Sequence, residues 1–298
     1  MVINRLILLL SLQFIVTTAC SQDQESIPDE TVIVEEAETD LIKLPDIDLS
    51  HWKVTIPEGA GKGGAISVEP PEILDYATNP VLKPFMYNDS IVGALVFHTY
   101  PTEATTANTK YSRSELREQM VPGDDNVNWT FAEGGTMKAS IAMEDVTKDD
   151  DGDYHRVIIL QIHGRLTSEQ QERIGQKDKN APPMLKIYWQ KGKIRVLTKV
   201  LKNANVSEEG SLHEEAWVDD EGHTFDEEIG FKKFNIEVKV SNGKMTVGLN
   251  DTEFAVYDDA NIKRWGVFDN YFKAGNYLQT QDKGAHASVK FYKLEVNH

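Results

Sequence analysis

Three short stretches of this 298-residue chain gather side chains that could hold an anion and move a proton. The first is Tyr111-Ser-Arg-Ser-Glu-Leu-Arg-Glu-Gln119. Alternate residues of a strand share a face, so Tyr111, Arg113, Glu115, Arg117 and Gln119 line one side over about 27 Å. Two guanidiniums flanking a carboxylate orient each other and leave donors free for an anionic ligand, although an exposed ion-pair ladder has the same spacing. The second is Val157-Ile-Ile-Leu-Gln-Ile-His163. Alternation puts Gln161 and His163 on one face with Val157 and Ile159, and leaves Ile158, Leu160 and Ile162 on the other. Glutamine can donate to a carboxylate and a neutral imidazole can accept a proton near neutral pH. A core histidine bonded to a backbone carbonyl is the alternative. The third is Tyr271-Phe-Lys-Ala-Gly-Asn-Tyr-Leu-Gln279. Tyr271, Lys273, Gly275, Tyr277 and Gln279 share a face there, and Gly275 leaves room for a ligand or a bend. Lysine and glutamine among the tyrosines argue against a dry aromatic core.

Strands must position these groups. Short alternating or β-branched runs recur at Ile91–Tyr100, Tyr111–Val121, Thr136–Met143, Arg156–His163, Met184–Gln190, Lys193–Val200, Phe234–Val240, Lys244–Asn250 and Ser288–Val296. The first strand is expected within Asp48–Pro57. Asn242-Gly243 is a type I′ hairpin signal, and Gln190-Lys-Gly-Lys193 is a second turn of that sort. Helical periodicity is confined to Pro71–Tyr76 and Ser168–Gly175. Many close-spaced strands and few helices predict an all-β sandwich or jelly roll.

The order Arg113-Ser-Glu-Leu-Arg117, Gln161-Ile-His163, Tyr271-Phe-Lys-Ala-Gly-Asn-Tyr-Leu-Gln279 resembles polysaccharide lyase family 7, the alginate lyases, from about Leu44 to the C-terminus. The resemblance implies a β-jelly roll, a concanavalin-like two-sheet sandwich, with a concave cleft for a uronate polymer. It implies β-elimination, in which C5 loses a proton and the 4-O-glycosidic bond breaks. It assigns Arg113, Gln161 and His163 to the uronate carboxylate, with Arg117 assisting and Glu115 orienting the two arginines. Tyr277 matches the catalytic acid, which often serves as base too, and His163 becomes the likelier base for the epimeric sugar. A Tyr277 phenolate is expected to draw on Arg113 and His163. Tyr271, Lys273 and Gln279 are expected at sugar subsites, and Ile162 between Gln161 and His163 leans towards guluronate-containing blocks. No metal or other cofactor is required. A carbohydrate-binding lipoprotein of the same fold without catalysis is the alternative; a jelly-roll glycoside hydrolase lacks its Glu-x-Asp-x-x-Glu strand pattern here.

Composition sets the remaining bounds. There are 31 Lys+Arg against 48 Asp+Glu, a net charge of −17, which excludes a phosphate-neutralising nucleic-acid protein. The charge is segregated: Tyr154–Lys202 carries +8, Glu144–Asp153 −5 and Asn203–Phe231 −10. Salt screens beyond about 8–10 Å, so a locally basic cleft can hold a polyanion while acidic loops lie elsewhere. Asp149-Asp-Asp-Gly-Asp153 misses the EF-hand register and reads as a solvated turn, with a loop calcium as the alternative. Residues 1–20 read as an export signal whose apolar run Leu6–Val16 is too short to span a bilayer. Thr17-Thr-Ala-Cys-Ser21 resembles a lipobox, with Thr17 replacing the usual leucine, so lipidation at Cys20, the only cysteine, is expected. Free secretion is the alternative. Residues 21–43, net −7, read as an acidic tether. The domain is 44–298, expected as a membrane-attached monomer acting on alginate or oligouronate. The loops 165–183 and 203–231 are long enough to wall a cleft.

Overall fold

The computed structural model describes residues 43–59, 64–106 and 109–298; the leader, Cys20 and all but the last residue of the tether lie outside them. In chain order the strands are β1 (Asp46–Ile47), β2 (Trp52–Gly59), β3 (Ala65–Val68), β4 (Met86–Asp89), β5 (Ala94–Thr99), β6 (Arg113–Glu118), β7 (Trp129–Thr130), β8 (Gly135–Val146) and β9 (Val157–Arg165). There follow β10 (Asn180–Gln190), β11 (Lys193–Leu201), β12 (Trp217–Asp219), β13 (His223–Thr224), β14 (Phe234–Ser241), β15 (Lys244–Leu249), β16 (Glu253–Tyr257), β17 (Asp269–Leu278) and β18 (Ala287–Asn297). One sheet runs β16-β15-β14-β8-β18-β5-β4, with β1 added in parallel to β18. The other runs β12-β11-β10-β9-β17-β6-β2-β3, with β13 on β11 and β7 on β17. This is the expected two-sheet jelly roll.

The core between the sheets follows from strand alternation. Val54, Leu116, Ile162, Leu185, Ile187 and Phe272 point inward from the second sheet, against Phe97, Ile141, Val238 and Phe291 of the first. Phe97 and Phe291 meet edge to face at 5.4 Å. Two side chains stitch the layers polar group to polar group. Ser114 Oγ donates to the His98 carbonyl at 2.6 Å, and Asn276 Nδ2 donates to the carbonyls of Phe97 at 3.0 Å and Ala287 at 2.7 Å.

The turns read from sequence form as expected. Asn242 and Gly243 have φ of 51° and 72°, and Lys191 and Gly192 have 51° and 79°, the left-handed pair that a type I′ hairpin needs. Ser168–Ile174 is helix α1, with a Thr167–Gln170 capping box and Gly175 closing it. The Pro71–Tyr76 stretch contributes a 3-10 turn, Glu72–Asp75. The two-residue strand β1 precedes the stretch expected to be first, and within that stretch β2 begins only at Trp52, after Asp48 accepts the Ser50 N–H at 2.8 Å in a turn.

One strand departs from simple alternation. In β9, Leu160 pairs with Ile187 and Ile158 with Tyr188, so Ile159 has no partner in β10. That β-bulge shifts the phase of the strand. Val157 and Ile159 join the core, while Ile158 faces the cleft with Gln161 and His163, reversing the expected placement of these three apolar residues.

Candidate active site

The second sheet is hollowed on its outer face into a cleft of about 590 Å³. Register brings the three motifs into adjacent strands: Lys273 lies between Arg117 of β6 and Gln161 of β9, Tyr271 beside His163, and Tyr277 between Arg113 and Ile158. β17 is therefore the middle strand of the site. Gly275 sits where β17 carries an extra residue relative to β9, at φ +144°, a conformation that L side chains rarely adopt. A Cβ there would lie 2.6 Å from the Ser114 carbonyl oxygen, so glycine is what lets β17 approach β6.

Glu115 is the anchor of the cationic cluster. Its carboxylate is buried, with 1% exposure, and is ion-paired with Lys273 and with Arg113 Nε at 3.7 Å. It also accepts the Gln161 Nε2–H at 2.5 Å. Glu115 thus lies beneath the cleft floor, orienting Arg113, Lys273 and Gln161 rather than lining a sugar subsite. The expectation that it orients both arginines holds for only one of them. Arg117 Nη2 donates to the Asp125 carbonyl at 2.8 Å and to Asn128 Oδ1 at 2.7 Å. Its Nη1 donates to the Glu118 carbonyl at 2.6 Å and lies 3.3 Å from the Asp125 carboxylate. Gln119, expected on the same face, is fully buried just past the strand and donates to Glu69 at 2.9 Å and Asp125 at 3.0 Å.

The proton-transfer groups differ in state. His163 Nδ1 faces the Gly164 carbonyl at 2.9 Å; a carbonyl only accepts, so Nδ1 carries the hydrogen and Nε2 keeps its lone pair. Burial, followed by the cations Lys273, Arg113 and Arg117, pushes its pKa down to about 3. The imidazole is neutral and its free nitrogen accepts; in this tautomer it does not donate to a carboxylate as expected. Tyr271 stacks on it at 5.3 Å and 16°, and the Arg117 guanidinium lies 4.2 Å from the Tyr271 ring centroid. Tyr277 is half-buried, with the Arg113 guanidinium 5.5 Å from its ring centroid. Burial raises its pKa above the ordinary phenol value; Arg113 and the Tyr111 backbone pull the other way without prevailing. Tyr277 is thus a neutral phenol; of the two groups expected to favour its phenolate, Arg113 is a cation beside the ring, whereas His163 is neutral and supplies no charge. Lys273 is pulled down to about 8, burial outweighing its pairing with Glu115. Gln279 lines the cleft too, its amide folded onto the Tyr277 carbonyl at 3.2 Å.

Several lining groups carry no motif. Lys53 of β2, Lys110, Arg165, Lys186 and Tyr188 line the walls beside Tyr111 of the first motif. Lys53, Lys186 and Tyr188 are alternate polar or aromatic positions in apolar strands, the same signal that marks Gln161 and His163. Among the described residues the cleft is lined by seven cations against the carboxylates of Asp125 and Glu214. The acidic 203–231 segment is not wholly remote. Glu214 lines the cleft and accepts the Asn180 Nδ2–H at 3.1 Å, and Asp219 is held by Lys186 at 2.6 Å and Lys199 at 2.7 Å. At the far turn, Asp149 Oδ1 accepts the N–H groups of Asp151 and Asp153, and Asp153 pairs with Lys191.

A cation-lined groove on the outer face of one sheet of a β-sandwich, with a neutral imidazole and a phenol among its lining groups and a buried carboxylate beneath, fits an enzyme of acidic polysaccharides. The alginate lyase family profile matches residues 47–298. Alginate lyase A1-II′, a member of polysaccharide lyase family 7, is 30% identical with a TM-score of 0.63, over 85% of this chain and 96% of that one. A variant of A1-II′ with a histidine-to-asparagine and a tyrosine-to-phenylalanine replacement, in complex with substrate (GGMG), is 29% identical with a TM-score of 0.65, over 85% and 94%. Alginate lyase PA1167 from Pseudomonas aeruginosa, at 23% identity and a TM-score of 0.62 over 85% and 100%, shares the fold. No curated protein matches the chain. The chain belongs to the alginate lyases of polysaccharide lyase family 7 and is a polysaccharide lyase that cleaves 1,4-linked uronate polymer by β-elimination.

Proposed function

We propose that Tyr277, His163, Gln161 and Arg113 carry the elimination in this chain. The chemical difficulty is that C5 loses its proton beside a carboxylate, so negative charge builds on a group already negative. Donors aimed at that carboxylate stabilise the enolate-like transition state. Arg113 and the remaining Gln161 amide hydrogen supply them, with Lys273 as a nearby positive charge and Arg117 as a post behind Tyr271. The observation that carries the reading is the tautomer of His163: an uncharged ring with its lone pair free, lining the same cleft as the Tyr277 phenol, which still holds its proton. That pair is a base and an acid before substrate arrives. Where the C5 hydrogen and O4 lie on opposite faces of the sugar, as in guluronate, His163 takes the proton and Tyr277 protonates O4. Where they lie on the same face, as in mannuronate, Tyr277 does both, after substrate and Arg113 favour its phenolate.

Solved relatives support a substrate preference as well. The A1-II′ complexes were obtained with product (GGG) and substrate (GGMG), and this chain has Gln161-Ile-His163, so guluronate-containing blocks are its proposed preferred sites. Tyr271, Lys273 and Gln279 form the proposed subsites, with no metal required. Export, lipidation at Cys20 and a monomeric state complete the proposal, resting on the leader sequence and the self-contained sandwich. The test is to assay His163→Asn and Tyr277→Phe on polyguluronate and polymannuronate. Tyr277→Phe is expected to be silent on both, and His163→Asn to lose guluronate cleavage far more than mannuronate cleavage. Wild-type guluronate turnover by His163→Asn would return the base role to Tyr277.

A further inference from the structure

Glu118 ends β6 on the side opposite the cleft and is 4% exposed. One of its oxygens accepts the Trp129 indole N–H at 3.1 Å and the Phe272 backbone N–H at 2.9 Å. The other meets His298 Nε2 at 2.7 Å, and His298 Nδ1 faces the Gly134 carbonyl at 3.1 Å. Carboxylates and carbonyls only accept, so both ring nitrogens carry hydrogen and His298 is an imidazolium paired with Glu118. Burial opposes that charge, but Glu118 outweighs it and raises the pKa of His298. The ring is also seated against Trp129 at 5.6 Å and Phe272 at 5.9 Å.

The position of Phe272 gives this cluster its consequence. β6 and β17 pair from Arg113 opposite Tyr277 as far as Arg117 opposite Lys273, and there the backbone pairing stops. Gln119 N–H turns to the His51 carbonyl at 2.6 Å. The next N–H of β17, that of Phe272, is taken by the Glu118 side chain. Phe272 is flanked by Tyr271, which stacks on His163, and Lys273, which pairs with Glu115.

We propose that the Glu118–His298 pair is a positioning device for the lyase reaction. It extends the β6–β17 ladder by one bond and so fixes Tyr271 and Lys273, and through them His163 and the Glu115 cluster. Neither residue touches the cleft. The inference rests on the reading of that cleft as the catalytic site.

The experiment uses three variants of the full chain, with kcat and KM on alginate measured at a temperature where each is folded. Glu118→Gln keeps an acceptor for Trp129 and Phe272 and offers an amide hydrogen to a neutral His298, so its kcat is expected within about 3-fold of wild type. Glu118→Ala removes the acceptor and is expected to lower kcat roughly 10- to 100-fold with a smaller change in KM, the scale of loss for a small misplacement of reacting groups. A folded Glu118→Ala with wild-type kcat, or a Glu118→Gln as impaired as Glu118→Ala, overturns the proposal. Should Glu118→Ala fail to fold, His298→Ala carries the test: a kcat loss of roughly 3- to 10-fold that shrinks in the Glu118→Gln background supports it, and unchanged kcat overturns it. Tyr277→Phe separates the two readings. An inactive Tyr277→Phe beside a normal Glu118→Ala sinks only the clamp, whereas an active Tyr277→Phe sinks the site assignment whatever Glu118→Ala does.

Discussion

Lys273 is the residue whose state is most open to titration. It is buried between Glu115 and two arginines, and its pKa of about 8 puts its charge within reach of ordinary assay conditions. The ammonium form exists below that value and is lost as pH rises through it, leaving Glu115 with Arg113 and Gln161 alone. The expected outcome is that kcat/KM on alginate falls as pH passes about 8. In Lys273→Arg, whose guanidinium keeps its charge, that fall should move upward by more than a unit. A pH profile unchanged by the substitution would assign the limb to another group. His163 has the opposite sign. Its neutral form persists down to about pH 3, so its own protonation does not limit activity between pH 5 and 7. Alternation put Arg113, Gln161, His163 and Tyr277 on strand faces, but it was the order of the three motifs, through their resemblance to the alginate lyases, that singled them out as site residues. Their protonation states were not legible in sequence: they depend on Gly164, Glu115 and burial, which only the assembled sheet supplies.

Strand β17 carries both the chemistry and the strain at the level of elements. Gly275 allows its backbone to close on β6, and Asn276 pins it to β5 and β18 across the core. Gly275→Ala forces a side chain to 2.6 Å from a backbone carbonyl at positive φ and is expected to cost about 3 kcal/mol. Asn276→Ala removes the side-chain donor that two carbonyls share across the core and is expected to cost roughly 1–3 kcal/mol. Denaturant unfolding measures both; a loss under about 0.5 kcal/mol for either would show that the strand relaxes freely. Strand positions, hairpin turns and helix α1 follow from local residue chemistry and were readable in sequence. The bulge at Ile159 was not, because an extra residue in one strand is defined only against its neighbours, Ile187 and Tyr188. That is why Ile158 and not Ile159 faces substrate. Lys53 and Lys186 escaped notice for a related reason: each is the lone basic residue of a largely apolar strand, and nothing marks it until the sheet brings it beside the motifs.

Electrostatics acts over the whole molecule. A chain of net charge −17 presents a cleft lined, among the described residues, by seven cations and two carboxylates, so attraction of a polyuronate is local and screenable. The Debye length falls from about 8 Å at physiological salt to about 3 Å at 1 M. KM for alginate is therefore expected to rise several-fold over that range while kcat stays within about 2-fold; a salt-independent KM would mean that subsite contacts are not ionic. The regional charge pattern was legible, but the reach of Glu214 and Asp219 into the basic region was not, since it depends on how the 203–231 segment folds back over β10 and β11. The leader makes a separate prediction. If Cys20 is lipidated, as proposed, Cys20→Ala moves the enzyme from the membrane fraction to the soluble one; unchanged fractionation would mean that Cys20 is not an anchor.

Tyr277 is proposed to deliver the proton that breaks the glycosidic bond, in a cleft that binds substrate without it. The most direct measurement follows the ultraviolet absorbance of unsaturated uronate ends formed from saturating alginate by Tyr277→Phe, with oligouronate binding measured on the same sample. Removing the phenol oxygen while keeping the ring should lower turnover by roughly a thousandfold or more, within the range that acid–base groups contribute. Affinity should stay within about 3-fold. Turnover within about 10-fold of wild type, with binding intact, would contradict the account.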